Sequence, residues 1–333
     1  MNKQRSKKKG IKKKGIKKKD SYQMNTKKKI KTRSNKISNN YQKKAIAAAI
    51  VAAVLYALNA PFSKMLLSKV TETMMAAWLY LGAGVGMSIL WLFREKNNHK
   101  AKQLHITKKE LPYTVGMVVL DIMAPIFLMI GLARTTAANA SLMNNFEIVA
   151  TSVIAFVIFK EKLSKHLWCG IGFITLACML LSIQGEGSLY FTFGSIFVLF
   201  ACICWGLENN CTRVLSEKDP LQIVIIKGFG SGFGSLLIAF AIGNTIPRIA
   251  DILCVMVLGF VAYGLSIFFY VHAQRHLGAA RTSAYYAVSP FIGGILSLLL
   301  YHQLPSIVFV IALLIMAGGV YLVSIGEKSC KQE

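Results

Sequence analysis

The sequence predicts an all-α integral membrane protein with ten transmembrane helices, folded as two inverted five-helix repeats. Three observations carry that expectation. Apolar runs of membrane-spanning length recur along the chain, the basic residues collect in alternate loops, and the two halves share short motifs in the same order.

Of the 333 residues, 54% are hydrophobic and only 16% charged, with a mean hydropathy of +0.51. A soluble domain carries about a quarter charged residues. Residues 1–44 hold 19 Lys or Arg against the single acid Asp20, so this stretch supplies +18 of the formal +25. The remainder is poor in charge and rich in runs long enough to cross a hydrocarbon core of about 30 Å as helices. Most of the seven cysteines fall inside those runs and no pair has metal-site spacing, so neither a disulfide framework nor a metal site is expected. No Gly-x-x-x-x-Gly-Lys-Ser/Thr loop occurs, which argues against ATP-driven work by this chain, and no cofactor is expected. No apolar segment with a small-residue cleavage site follows the early lysines, so no cleavable leader is expected.

Residues 1–44 read as a disordered polybasic cytoplasmic tail, with lysine runs at Lys7, Lys12, Lys17 and Lys27. Such a tail attracts anionic lipid head groups at about 1 kcal/mol per nearby cation. Nucleic acid is not expected as a partner. A first repeat is expected over 45–184, a second over 189–325, and a short cytoplasmic tail over 326–333.

The ten expected spans are 45–67, 73–93, 111–132, 137–158, 166–184, 189–211, 221–243, 251–273, 279–301 and 305–325. Cations mark one side. Arg94, Lys96, Lys100, Lys102, Lys108 and Lys109 follow span two, and Lys160, Lys162 and Lys165 follow span four. Arg213 with Lys218 and Arg275 with Arg281 follow spans six and eight, while the alternate loops carry little beyond Lys69, Arg134 and Arg248. The bias predicts a multi-pass protein of the cell membrane with both termini cytoplasmic.

The halves align at three places. Leu79–Gly86 matches Lys227–Gly234 at an offset of 148, Tyr56–Lys64 matches Trp205–Arg213 at 149, and Thr136–Ser141 matches Gly278–Ser283 at 142. A repeat of five spans must insert its second copy upside down, the arrangement that suits alternating access around a midplane site. Gly82 with Gly86, Gly228 with Gly232 and Gly230 with Gly234 are small-xxx-small pairs that predict close helix packing.

Polar residues inside spans are costly and need a partner or a wet cavity. Glu147 follows Asn144 and Asn145 in span four, and on an unbroken helix Asn144 and Glu147 share a face. Glu208 lies late in span six, with Asn59 as its repeat equivalent in span one. Asp121 lies in span three, one turn before Pro125. Trp78, Tyr80, Trp205, Tyr285 and Tyr286 offer flat faces for apolar or cationic groups, and Lys227 and Arg281 offer cations. The expected substrate site therefore comprises Glu147, Asn144, Asn145, Asp121, Asn59, Glu208, Trp78, Tyr80, Tyr285 and Tyr286. In it Glu147 or Glu208 binds an ammonium group or carries a coupling proton. No constellation of nucleophile and base shares a membrane depth, so an enzyme is not expected.

Gly131-Leu-Ala-Arg-Thr-Thr-Ala-Ala-Asn-Ala-Ser141, Phe146-Glu-Ile148 and Lys160-Glu-Lys-Leu-Ser164 together resemble the EamA-type repeat of the drug/metabolite transporter superfamily. Ala273–Arg281, continued through Ser289-Pro290, resembles it again in the second half. The resemblance covers roughly residues 45–325. It implies two inverted five-helix bundles and export or exchange of amino acids or similar metabolites without ATP. Two positions depart from the pattern: Ile148 stands where the first repeat's proline is expected, and the closing acid kept as Glu161 is missing near Gln303. The expected function is a secondary active transporter of a small metabolite such as an amino acid or amine, with a coupling proton as a candidate partner and a homodimer left open. The alternative is a non-transporting membrane scaffold or receptor that works through its basic tail.

Overall fold

In the computed structural model, residues 42–97, 106–160, 164–182, 193–215, 218–277, 282 and 285–329 are described, and they hold helices and turns with no strand. Most of the expected basic tail, residues 183–192 between the two halves, and Arg281 lie outside the described residues. Ile46–Glu333 forms one compact unit. Eight helical stretches among the described residues are long and apolar enough to cross a membrane, and two shorter apolar helices follow them.

The elements are α1 (Gln42–Leu66), α2 (Glu72–Asn97), α3 (Leu111–Ala133), α4 (Ala137–Met143), α5 (Phe146–Phe159), α6 (Lys165–Ser182) and α7 (Phe193–Leu215). There follow α8 (Pro220–Ala241), α9 (Ile249–Gly259), a π-helical turn at Phe260–Leu265, α10 (Ser266–Leu277), α11 (Ser289–Leu300) and α12 (Ile307–Ser329). The sixth span, α7, runs to Leu215, beyond the expected end at 211, and its polar side chains bond back along the same helix. Asn210 Nδ2 donates to the Gly206 carbonyl at 2.8 Å, and Thr212 donates to the Glu208 carboxylate.

The distribution of polarity is that of a protein dissolved in lipid. Leu237 and Ile249 are 71% and 76% exposed, whereas Asn59, Asp121, Glu208 and Lys227 are buried. Apolar side chains facing outward cost nothing in hydrocarbon, so the interior is free to hold the polar groups.

Helices pack in matched pairs: α2 on α8, α3 on α7, α6 on α12, and α4 on α11. The α2–α8 contact is set by glycine. A Cβ at Gly84 would lie 3.0 Å from the Phe229 nitrogen, and one at Gly228 would strike the Gly84 backbone. The opposite flank of α2 is as close, since a Cβ at Gly259 would strike the Leu79 carbonyl. Helix α2 is thus clamped between α8 and α9, backbone against backbone.

Three breaks interrupt these helices. Helix α1 is interrupted at Leu58, three residues before Pro61, whose missing N–H releases the Ala57 carbonyl. Span four, expected to be continuous, is two helices separated by a turn at Asn144–Asn145. Asparagine is a weak helix former because its amide competes for nearby backbone groups. The expected pair Asn144 and Glu147 is thus split between the turn and the next helix: Asn144 is buried in the turn, and Glu147 lies in the first turn of α5. In the ninth stretch the helix starts at Ser289, after a turn at residues 287–288, with Pro290 at its first turn. The Pro290 carbonyl accepts a hydrogen bond from Ser141 Oγ at 2.9 Å, tying α11 to α4.

At one end of the bundle Lys64 closes helix α3. Its Nζ donates to the carbonyls of Leu132, Ala133 and Thr135 at 2.5, 3.0 and 2.8 Å. A cation there satisfies carbonyls the helix cannot bond itself and opposes the negative end of its dipole.

The glycine clamp predicts that Gly228→Leu lowers stability by about 1–3 kcal/mol, read as a lower thermal midpoint of the purified protein in detergent. Gly172→Leu is the control, because a Cβ at Gly172 meets nothing within 4 Å; its midpoint should stay unchanged.

Candidate functional site

Helix α8 enters through Asp219, whose side chain accepts from the Leu221 N–H at 3.2 Å, with Pro220 in the first turn. Two turns further in it carries Lys227. The Lys227 Nζ lies 2.8 Å from Glu208 Oε1 on α7 and 3.2 Å from Asp121 Oδ2 on α3. The side chains of all three are 6% exposed or less. Tyr80 on α2 donates to Asp121 Oδ1 at 3.0 Å, and Thr212 donates to Glu208. The approach of Lys227 to Asp121 lacks hydrogen-bond alignment, so Asp121 Oδ2 is buried without a hydrogen bond among the described residues. Buried charges persist only when paired and hydrogen-bonded; here one cation serves two carboxylates.

A fourth ionisable group faces the same space. Glu147 begins α5 half-buried, and its Oε1 accepts from Asn209 Nδ2 at 2.6 Å. Among the described residues no cation pairs with it. Asp121, Glu147, Glu208 and Lys227 all line one cavity, with an interior of about 60 Å³ open to the centres of water-sized molecules. About 10–15 Å³ suffices for one water, so this is room for a small polar group with its shell.

Aromatic rings wall the cavity. Tyr263 sits 5.0 Å from Tyr80 and 5.9 Å from Tyr56, Tyr56 sits 5.7 Å from Tyr286, and Tyr286 sits 4.9 Å from Tyr270. Trp205 meets Tyr56 edge-on at 6.5 Å. The π-helical turn carries Tyr263 into this belt, and Asn59 fixes it there by donating Nδ2 to the Tyr263 hydroxyl at 3.0 Å. Asn59 Oδ1 in turn accepts from Ser63 at 2.9 Å.

Of the residues singled out from the sequence, Asp121, Glu147, Glu208, Tyr80 and Tyr286 line the cavity, as do Trp205 and Lys227. Asn59 stands one layer behind, as the support of Tyr263. Asn144 and Asn145 are buried at the α4–α5 turn and do not line it, and among the described residues neither Asn145 amide atom has a hydrogen-bond partner. Trp78 packs against the apolar core, and Tyr285 is 37% exposed; neither lines the cavity. Sequence reasoning passed over Tyr56, Tyr263, Tyr270 and Thr212. A signal for two of them exists, since Tyr263, Ile267, Tyr270 and Val271 recur at helical spacing in one span. No group of three or more His, Cys, Asp or Glu side chains among the described residues is placed to hold a metal ion.

The wall is shared between the two halves of the chain: Tyr56, Tyr80, Asp121 and Glu147 come from one, Trp205, Glu208, Lys227 and Tyr263 from the other. The profile of the EamA-like transporter family matches those same halves, at residues 43–183 and 192–325. The chain belongs to the EamA-like transporter family. It is a multi-pass membrane transporter with the family's two-repeat architecture. A protein of Methanothermobacter thermautotrophicus, named an uncharacterized transporter, is 26% identical over 290 residues, covering 82% of this chain and 84% of its own. The uncharacterized transporter YyaM of Bacillus subtilis is 23% identical over 235 residues, covering 67% of this chain and 74% of its own. A solved crystal structure superposes with a TM-score of 0.64 at 16% identity, over 84% of this chain and 96% of that one, which shows the fold.

In this EamA-like transporter the Asn59–Tyr263 bond holds the ring belt from behind. Asn59→Leu should lower stability by about 1–3 kcal/mol by stranding buried hydroxyls, visible as a lower thermal midpoint. Tyr263→Phe, which removes the stranded group as well, should recover part of that loss in the Asn59→Leu background.

Proposed function

We propose that this transporter moves a small metabolite bearing a positively charged nitrogen, an amino acid or amine, across the cell membrane by secondary active alternating access. The observation that carries the reading is the cavity itself: three carboxylates and one lysine inside a belt of aromatic rings. With every group ionised the wall holds an excess of two negative charges, and desolvated anions together with ring faces favour a cation. Glu147, the half-buried carboxylate without a basic partner among the described residues, meets the substrate nitrogen or carries a coupling proton.

Ten spans in two inverted repeats fit the packing. Helices α2 and α8, α6 and α12, and α4 and α11 pair with one another, as elements related by a two-fold axis in the membrane plane do. Tyr56 and Trp205, which head one of the matched segments, meet across the cavity. The two shorter apolar helices complete the count in this reading. Both termini are then cytoplasmic, with Lys108, Lys109, Lys165, Lys218 and Arg275 on the inner side.

The burial gradient supports an inward-facing conformation. Asn209 and Tyr270, on the halves of α7 and α10 that lead to Lys218 and Arg275, are half-buried, whereas Asn59, Ser63 and Tyr263 on the far side are buried. Beyond those, Tyr301 donates to the Pro61 carbonyl at 2.8 Å and Lys64 closes α3, sealing the outer side.

Purified protein in liposomes loaded with unlabelled amino acids should accumulate a radiolabelled amino acid mixture by counterflow. Glu147→Gln should reduce that counterflow by at least about tenfold, a loss of about 1.4 kcal/mol of binding or coupling, while the variant still inserts and elutes as folded protein. A scaffold gives no counterflow at all, and an unchanged rate in Glu147→Gln removes that carboxylate from the mechanism.

A further inference from the structure

We propose that Lys227 is a tethered stand-in for the substrate's cationic nitrogen, holding the place between Asp121 and Glu208 when the transporter is empty and yielding it when substrate binds. The inference rests on the transport reading above and assigns the charged cluster a task within it: allowing the unloaded protein to change sides.

The geometry is that of an occupied cation site. One ammonium bridges two carboxylates from different helices, at 2.8 and 3.2 Å, inside the cavity wall. Asp121 Oδ2 receives charge but no aligned hydrogen bond, so it retains an acceptor position that a second N–H donor fits. Tyr80 donates to the other oxygen of Asp121, and Thr212 donates to Glu208 Oε1, the oxygen that Lys227 also approaches, so each carboxylate keeps one hydroxyl partner whichever cation sits between them. Glu147 lies along the approach, half-buried where Asp121 and Glu208 are buried. A cation drawn in at Glu147 therefore has a deeper and drier pair of carboxylates ahead of it, already occupied by Lys227.

Alternating access requires the cavity to close to both sides in passing. Closing it over two carboxylates with no counter-charge is strongly opposed, because the ions lose water and gain nothing. A loaded transporter brings the substrate's own charge. An empty one has Lys227, which is covalently part of the protein and is never released. The protein should then catalyse net one-way flux as well as exchange. The same lysine competes with substrate, which weakens apparent binding by the fraction of time it holds the site.

The test uses proteoliposomes and a radiolabelled mixture of amino acids with choline, and compares net efflux into substrate-free buffer with exchange against the same compounds outside. Wild type should show both. Lys227→Ala should lose net efflux by at least about tenfold while exchange stays within about threefold, and its half-saturating concentration should fall, since the built-in competitor is gone. Lys227→Arg should keep both modes. The triple variant Asp121→Asn, Glu208→Gln, Lys227→Ala removes the lysine together with the two carboxylates it serves, leaving Glu147 as the charge among the four. Whatever flux it retains should therefore divide between net efflux and exchange as in wild type and not as in Lys227→Ala. If Lys227→Ala folds poorly, the triple variant decides: net efflux at rates comparable to its exchange supports the proposal. A folded Lys227→Ala that retains net efflux, or that loses exchange equally, overturns it, and so does a triple variant confined to exchange. Absence of flux in either mode for wild type overturns the transport reading and this inference together.

Discussion

Three buried charges on three helices constrain this molecule more than any apolar contact does. Asp121, Glu208 and Lys227 sit on α3, α7 and α8, and each is tolerable in the membrane interior only while the others are within reach. The helices that bear them cannot slide or rotate independently without separating ions in a medium that does not forgive it. The glycine contacts between α2 and α8 make the arrangement reachable: without backbone-to-backbone approach at Gly84 and Gly228, the lysine would sit on a helix held too far out. Packing in lipid lacks a hydrophobic drive between helices, so close fit and polar pairing together take the role that apolar burial has in water.

The aromatic belt depends on the same frame. Tyr80 is both a donor to Asp121 and a ring against Tyr263, so the electrostatic cluster and the ring wall share a residue. Tyr263 in turn is held by Asn59 on the first helix. The chain of contacts runs from the charged floor through two tyrosines to the interrupted helix α1, and crosses between the two family repeats at Tyr80–Tyr263 and again at Tyr263–Asn59. Under the proposed alternating access, a substrate held in this cavity would touch both halves at once.

Much of this was legible before any coordinates. Hydropathy located the eight long apolar helices among the described residues, because a span has to be apolar over most of its length and leaves little ambiguity of period. The ionisable residues of the cavity were legible for the same reason: Asp121, Glu147 and Glu208 stand out against an apolar background. What the sequence could not convey was which of them meet. Residues 121, 208 and 227 lie on separate helices, and helix-to-helix pairing across such distances leaves no local trace. The break at Asn144–Asn145 was hidden as well, since two asparagines weaken a helix without dictating a turn. Asn59 was picked out as polar and central, and that was right about its burial; its partner, Tyr263, is aligned by a turn that an ordinary helical wheel does not include.

That π-helical turn has a consequence for the numbering of everything after it. From Phe260 to Leu265 the ladder accommodates more residues per turn than an α-helix, and the cavity residues Ile267, Tyr270 and Val271 follow directly after it. In an α-helix each residue advances the face by about 100°. A residue removed between Tyr263 and Leu265 would turn Tyr270 by about that angle relative to Tyr263, and the two rings could not both keep their places in the cavity wall. The length of that short stretch, as much as the identity of its side chains, therefore shapes the cavity wall.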